Sequence, residues 1–228
     1  MTKIAIDGPA GAGKSTISRA AAKDMGYIYI DTGALYRTVG LNAMRQGADV
    51  NDADSVIATI TEDLKVELRF IDGEQRMFLS GEDVSDKIRT PEASMGASNV
   101  SAIPAVRTFL FDLQRDIASR NSCIMDGRDI GTVVLPDADV KIFMFASPEA
   151  RAERRYKELV AKGKEVTYEE VLSDMTERDK NDSTRSVAPC VQAEDAILLD
   201  NSDMTPEQTV SSVLKLVKRY KHKHRNFY

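Results

Sequence analysis

The stretch Gly8-Pro9-Ala10-Gly11-Ala12-Gly13-Lys14-Ser15-Thr16 constrains this chain more than any other, because it fits G-x-x-x-x-G-K-[ST] directly behind an apolar run, Ile4-Ala5-Ile6-Asp7. Glycines let successive backbone N–H groups converge on phosphate oxygens. Lys14 reaches the outer phosphates, the Ser15 hydroxyl suits Mg²⁺, and the helix that follows offers its positive end. The context therefore predicts a strand, a phosphate-binding loop and a helix, with a nucleoside triphosphate as ligand. The alternative, an ordinary glycine-rich strand-to-helix turn, leaves the full consensus unexplained.

Short apolar runs alternate with helical patterns along the chain, which predicts an α/β fold: a P-loop NTPase-type five-stranded parallel sheet flanked by helices. The expected strands are Lys3 to Asp7, Tyr27 to Asp31, Cys123 to Asp126, Val140 to Phe145 and Ile197 to Asp200. Helices are expected at Lys14 to Asp24, Ala34 to Gln46, Pro104 to Ser119, Pro148 to Lys162, Tyr168 to Asp179 and Pro206 to Tyr220. Ser147-Pro148 supplies an N-cap and a first-turn proline, Thr167 and Glu170 have capping-box spacing, and Gly26 and Gly47 fall where helices should stop. Between Leu64 and Val84 the pattern changes to Val66-Leu68-Phe70 alternating with charged residues, an Asp72-Gly73 turn, then Met77-Phe78-Leu79. That reads as an antiparallel hairpin in a small inserted subdomain.

A chain of 228 residues suits one core with insertions better than two independent modules. Its apolar runs are strand-sized, far short of the roughly 20 residues a membrane span needs. No secretory signal is seen, and Cys123 and Cys190 form no C-x-x-C, so reduced buried thiols and a cytoplasmic location are expected. The 31 Lys and Arg against 36 Asp and Glu give a net charge of -5. Six of those basic residues lie between Lys215 and Tyr228, leaving 25 against 36, or -11, over the remainder. A nucleic-acid patch is conceivable there, yet Val210, Val213, Leu214 and Val217 are spaced as the buried face of a terminal helix whose basic end suits its dipole.

Behind Ile124-Met125 comes Asp126-Gly127-Arg128-Asp129-Ile130-Gly131-Thr132, which places two carboxylates and a guanidinium at the carboxyl end of a central strand. Ligands gather there in open α/β sheets. Asp126 is a candidate acidic partner of the metal shell; a purely structural Arg–Asp turn is the alternative. Arg37, Arg128, Arg178 and Arg185 stand near element ends, and Arg151, Arg154 and Arg155 share one helix. Phosphoryl transfer needs such cations, because charge spreads over the oxygens of the moving group. His222 and His224 occur only in the tail, so no histidine triad or zinc site is supported, and no N-K-x-D base-reading element is present.

GPAGAGKST, DTGALYRTV, SNVSAIPAVR, DGRDIGTVVLPDADVK and ERDKNDSTRSVAPC together resemble the bacterial cytidylate kinases, nucleoside monophosphate kinases that phosphorylate CMP and dCMP. The resemblance covers nearly the whole chain. It implies a core of residues 1–31, 120–147 and 186–228, a monophosphate-binding insert of 32–103, a helix of 104–119 leading back, and a lid of 148–185. It further implies that Ser98, Arg107 and Asp129 read cytosine, that Arg37, Arg128 and Arg185 hold the monophosphate, and that Asp182 meets the sugar. Lys14, Arg128, Arg178 and Arg185 carry catalysis on that reading, with ATP and Mg²⁺ as cofactors. ATP is held by Gly8, Pro9, Ala10, Gly11, Ala12, Gly13, Lys14, Ser15 and Thr16, with Arg154 from the lid. Thr32 stands where some relatives have Ser and is a candidate substrate contact. The family is mostly monomeric, and neither nucleic acid nor membrane is an implied partner. Two rivals remain open: a kinase of the same class acting on UMP, AMP or a hydroxyl acceptor, and a P-loop ATPase acting on nucleic acid through the basic tail.

Overall fold

The computed structural model describes residues 1–225. In chain order the elements are β1 (Lys3–Asp7), α1 (Lys14–Met25), β2 (Ile28–Asp31), α2 (Thr32–Arg45), α3 (Ala53–Ala58), β3 (Val66–Ile71), β4 (Glu74–Leu79) and β5 (Glu82–Asp83). They continue with α4 (Pro91–Val100), α5 (Pro104–Arg120), β6 (Cys123–Asp126), a π-helical turn (Ile130–Val134), β7 (Val140–Phe145), α6 (Pro148–Ala161), α7 (Tyr168–Thr184), β8 (Ile197–Asp200) and α8 (Pro206–Arg225). The expected five-stranded parallel sheet is present, in the order β2-β6-β1-β7-β8, and a separate three-stranded antiparallel sheet has the order β3-β4-β5.

Two compact units divide the chain: residues 1–27 with 121–228, and residues 28–120. In the first, β1 lies between β6 and β7, with Ile4 opposite Ile124 and Val140. Ile4, Ala5, Ile6, Ile124 and Met125 are fully buried, as expected for parallel strands covered on both faces. α1 stops at Gly26, whose φ of 65° is the left-handed conformation that returns its N–H to the carbonyls of Ala22 and Lys23. The expected caps form: Ser147 accepts from Ala150 N–H at the start of α6, and Thr167 with Glu170 makes the reciprocal box that opens α7. A small cluster of Ala152, Val171 and Met175 packs α6 against α7.

α7 runs five residues past its expected end at Asp179, through Lys180-Asn181-Asp182-Ser183-Thr184. Asn, Asp, Ser and Thr are weak helix formers that read as a stop. Here Ser183 and Thr184 return their hydroxyls to the Lys180 carbonyl, and Asp182 is drawn inward to Arg128. α8 likewise extends beyond Tyr220 to Arg225. Residues 226–228 of the basic tail, and the side chains of 221–225, lie outside the described residues.

The second unit has its own core, in which Leu35 and Val39 of α2 meet Met77 and Leu79 of β4, Val100 of α4 and Leu110 of α5. The expected hairpin turns at Asp72-Gly73, both with positive φ (53° and 80°), the pair a type I′ turn requires. Ser80-Gly81 repeats the device (47° and 88°) and adds the short strand β5, beyond the expected elements. α3 and α4 lie outside the expected elements as well. α4 carries small residues, and its Gly96 backbone faces Gly40 of α2 so closely that a Cβ on Gly40 would stand 3.3 Å from the Gly96 carbonyl carbon.

Candidate active site

The phosphate loop joins β1 to α1 through three glycines with positive φ, Gly8 (147°), Gly11 (74°) and Gly13 (85°). At Gly8 the requirement is spatial as well, since a Cβ would lie 2.0 Å from the Met144 carbonyl oxygen of β7. Gly13 occupies the N-cap of α1 without any side-chain cap, and no acid stands in the first turn. The leading N–H groups of the helix are thus presented for an anion. Asn201, just past β8, donates its side-chain N–H to the Ala12 carbonyl at 3.0 Å and steadies the loop from behind.

Lys14 is buried and folds back onto the loop, its Nζ donating to the carbonyls of Gly8 and Pro9 at 2.7 Å each. Burial, and next the neighbouring Arg128 charge, push its pKa down to about 7 against the opposing pull of Asp126, Cys190 and Asp7. Ser15 donates its hydroxyl to Asp126 Oδ2 at 2.8 Å, so the two hard oxygen donors expected at a divalent cation do stand together. Among the described residues no group of three or more His, Cys, Asp or Glu could hold a metal by side chains alone. A two-oxygen site suits Mg²⁺ completed by nucleotide phosphates and water.

At the end of β6, Arg128 directs its Nε to Asp182 Oδ2 of α7 at 2.9 Å, and Asp129, 4% exposed, stands 3.7 Å from Arg185 Nη2. Burial pulls against the Arg128 charge, but Asp182, with Cys190 and Asp126, together more than offset it and hold the guanidinium above its usual pKa. Arg128, Asp129, Asp182 and Arg185 therefore form one interlocked cluster, with each cation facing a carboxylate of another segment. Cys190 N–H donates to the Asp182 carbonyl, and burial pushes the Cys190 thiol up to about 11; both cysteines are free and buried, as expected.

In the second unit Arg37 pairs with Asp31, Nη2 to Oδ2 at 2.7 Å, while Asp31 Oδ1 accepts the Ala34 N–H that opens α2. Gly33 keeps this pair uncrowded, since a Cβ there would stand 3.1 Å from both Asp31 Oδ1 and Arg37 Nη1. Arg37 Nε is buried without an acceptor, which suits a residue awaiting an anion. Arg107 lies over the Tyr36 ring at 5.7 Å and donates to the Ser101 carbonyl; Ser98, on α4, gives its carbonyl to the Ser101 hydroxyl. Thr32 is the buried first residue of α2. Arg178 lies on α7, half-buried.

Not all the α6 cations behave as a cationic face. Arg154 donates to the carbonyls of Asn201 and Ser202 at 2.6 and 2.9 Å, Arg155 pairs with Glu158 at the surface, and Arg151 is fully enclosed. Asp7, absent from the expected site residues, is buried and accepts the N–H groups of Ile130 and Gly131 at 2.8 and 2.7 Å. It thereby ties the phosphate loop's strand to the Asp129 turn. An acid closing an apolar run directly before the glycines is the signal for it in the sequence.

Several known proteins are similar to this chain. The chain is 49% identical over 213 residues to a cytidylate kinase of Caldicellulosiruptor saccharolyticus, covering 93% of this chain and 94% of that one. It is 51% identical over 216 residues to a cytidylate kinase of Fervidobacterium nodosum, covering 95% and 96% respectively. Among solved structures it resembles a shikimate kinase from Bacteroides thetaiotaomicron at 12% identity and a TM-score of 0.48, over 95% of this chain and 98% of that one. The cytidylate kinase family model matches residues 4–219, a span that takes in the phosphate loop, the Ser15–Asp126 pair and the Arg128–Asp182 cluster, and the chain accordingly belongs to the cytidylate kinase family.

Proposed function

We propose that the protein transfers the γ-phosphoryl group of ATP to the phosphate of CMP or dCMP, giving ADP and CDP or dCDP. The observation that carries this reading is the family match over residues 4–219, joined to a phosphate loop whose Ser15 is bonded to Asp126 at the end of β6. An oxygen of the acceptor phosphate attacks the γ-phosphorus while the bond to the β,γ-bridging oxygen breaks. No general base is needed, because a phosphate monoester has a second pKa of about 6 and is already largely ionised near neutrality. The loop's N–H groups orient the triphosphate, and Lys14 transfers its bonds from the Gly8 and Pro9 carbonyls to the outer phosphates. Ser15 and Asp126 are the residues that would hold Mg²⁺, which when bound neutralises charge on the phosphates. Arg128, Arg178 and Arg185 supply cations to the transferred group and the acceptor. Arg154 is assigned to the ATP side, where Asn201 links it to the loop at Ala12.

For the acceptor we assign the monophosphate to Arg37, Arg128 and Arg185, the sugar to Asp182, and cytosine to Ser98, Arg107 and Asp129, with Thr32 as a further contact. An ionised Asp129 accepts from the exocyclic amino group of cytosine, where uracil presents a carbonyl. Leaving such a partner unpaired costs about 1–3 kcal/mol, a preference of roughly tenfold to hundredfold rather than exclusion of UMP. The boundaries 32–103 for the insert and 148–185 for the lid, a monomeric state and a cytoplasmic location belong to the same proposal. None of the described helices is long and apolar enough to cross a membrane.

The test is coupled ADP release with ATP and Mg²⁺ across CMP, dCMP, UMP, AMP and a hydroxyl acceptor. CMP and dCMP should give the highest kcat/KM; a better acceptor elsewhere removes the base-reading assignment.

A further inference from the structure

One fully buried guanidinium stands outside the residues assigned to either nucleotide. Arg151, on α6, is 2% exposed, and each of its three nitrogens is engaged by a different segment. Nε donates to the Ala146 carbonyl behind β7 at 2.8 Å, Nη1 donates to the Ala10 carbonyl in the phosphate loop at 2.8 Å, and Nη2 meets Asp179 Oδ2 on α7 at 2.6 Å. A buried charge persists only where it is paired and hydrogen-bonded, and a planar guanidinium fixes the mutual orientation of its partners in a way an ammonium does not.

A second contact binds the same two segments. A Cβ on Gly11 would lie 2.4 Å from Met175 Cε of α7 and 3.5 Å from Arg151 Cβ, so α7 rests on the loop at the very peptide that Arg151 holds. Asp179 directly follows Arg178 and precedes Asp182 by about one helical turn. The helix then ends at Arg185, beside Asp129. A change in the Ala10–Gly11 peptide therefore has a direct mechanical route to the residues assigned to transfer and to the acceptor.

We propose that Arg151 is a positioning residue that couples the conformation of the phosphate loop to α7, so that occupancy of the loop sets the placement of Arg178, Asp182 and Arg185. The proposal rests on the assignment of a nucleotide polyphosphate to the loop, and its test separates the two. Hydrogen exchange is followed with ADP and Mg²⁺, without any acceptor, in the wild type, in Arg151→Met and in the double variant Arg151→Met/Asp179→Leu. In the wild type ADP should slow exchange in both α1 and α7. In Arg151→Met protection of α1 should persist while ADP-dependent protection of α7 falls by roughly tenfold or more, and kcat with CMP should drop by a similar factor with the KM for ATP changed far less.

The double variant removes both members of the Arg151–Asp179 ion pair at once, so neither is left unpaired and its thermal midpoint should recover toward the wild type while α7 stays uncoupled and kcat stays low. It also stands in for Arg151→Met if that variant does not fold. Retained α7 protection in the variants, or kcat recovering together with thermal stability in the double variant, overturns the coupling and leaves the nucleotide assignment intact. Absence of ADP-dependent protection of α1 in the wild type removes the nucleotide assignment, and the coupling with it.

Discussion

Replacing Asp7 by asparagine should change how stability depends on pH in a way whose sign and size follow from the structure. Burial raises the Asp7 pKa from 3.8 to about 6; the N–H groups of Gly131 and Ile130 oppose the rise, the Asp129 charge adds to it, and Lys14 opposes it. Below the unfolded value of 3.8 both states hold the proton and ionisation costs the fold nothing. Between 3.8 and about 6 the unfolded chain releases its proton while the folded chain keeps it, so stability falls as pH rises; above about 6 the full penalty is present. A rise of about two units at roughly 1.4 kcal/mol each makes that penalty about 3 kcal/mol. The amide carries no charge and escapes it, although it forfeits one accepted N–H bond at every pH, at about 1–3 kcal/mol. Urea denaturation of both proteins from about pH 3.5 to about pH 7 should therefore show wild-type stability, relative to the variant, declining by about 3 kcal/mol across that window. For a chain of this size the thermal midpoint difference should move by roughly 6–12 °C. Parallel curves for the two proteins, or a difference that grows in favour of the wild type as pH rises, would refute the reasoning.

Four further outcomes are expected. Gly8→Ala should destabilise the fold by more than about 3 kcal/mol in thermal or urea denaturation, because its Cβ meets the backbone oxygen of Met144 at 2.0 Å and its φ is 147°. Asp129→Ala should raise the KM for CMP and narrow the preference for CMP over UMP by roughly tenfold to hundredfold, whereas Lys14→Ala should collapse turnover with every acceptor; an unchanged CMP to UMP ratio in the first variant rejects the Asp129 role. Removing residues 221–228 should leave CMP kinase activity within about twofold of the full chain and reveal no stimulation of ATP hydrolysis by RNA or DNA, since the rest of the chain is net acidic.

Sheet strands proved legible because parallel strands buried on both faces are written as short unbroken apolar runs, as in Ile4-Ala5-Ile6 and Ile124-Met125. Helix starts at Ser147-Pro148 and Thr167-x-x-Glu170 were equally readable, because capping is a local transaction between neighbours. What was hidden depends on partners distant in the chain. Asp7 looks like a strand end until Ile130 and Gly131, more than 120 residues on, bring their N–H groups to it. Arg151 shares a helix with Arg154 and Arg155 and looks like one more exposed cation; the Ala146 carbonyl, the Ala10 carbonyl 141 residues away, and Asp179 together explain its burial. The last turns of α7 look like a stop because propensity alone opposes them, and the Arg128–Asp182 pair outweighs that weak local preference. α4 buries small residues at helical spacing, Ala93, Ala97 and Val100, and meets α2 closely at Gly40 and Gly96, so its apolar stripe is faint in the sequence.

The most direct measurement follows labelled phosphate from [γ-³²P]ATP in the presence of Mg²⁺, with and without CMP. Label should appear in the β-phosphate of CDP in step with ADP release, with little free phosphate and no labelled protein. Label released as inorganic phosphate at a rate indifferent to CMP, or trapped on the chain as a phosphoenzyme, would contradict direct transfer between a nucleotide on the glycine loop and a cytidine monophosphate acceptor.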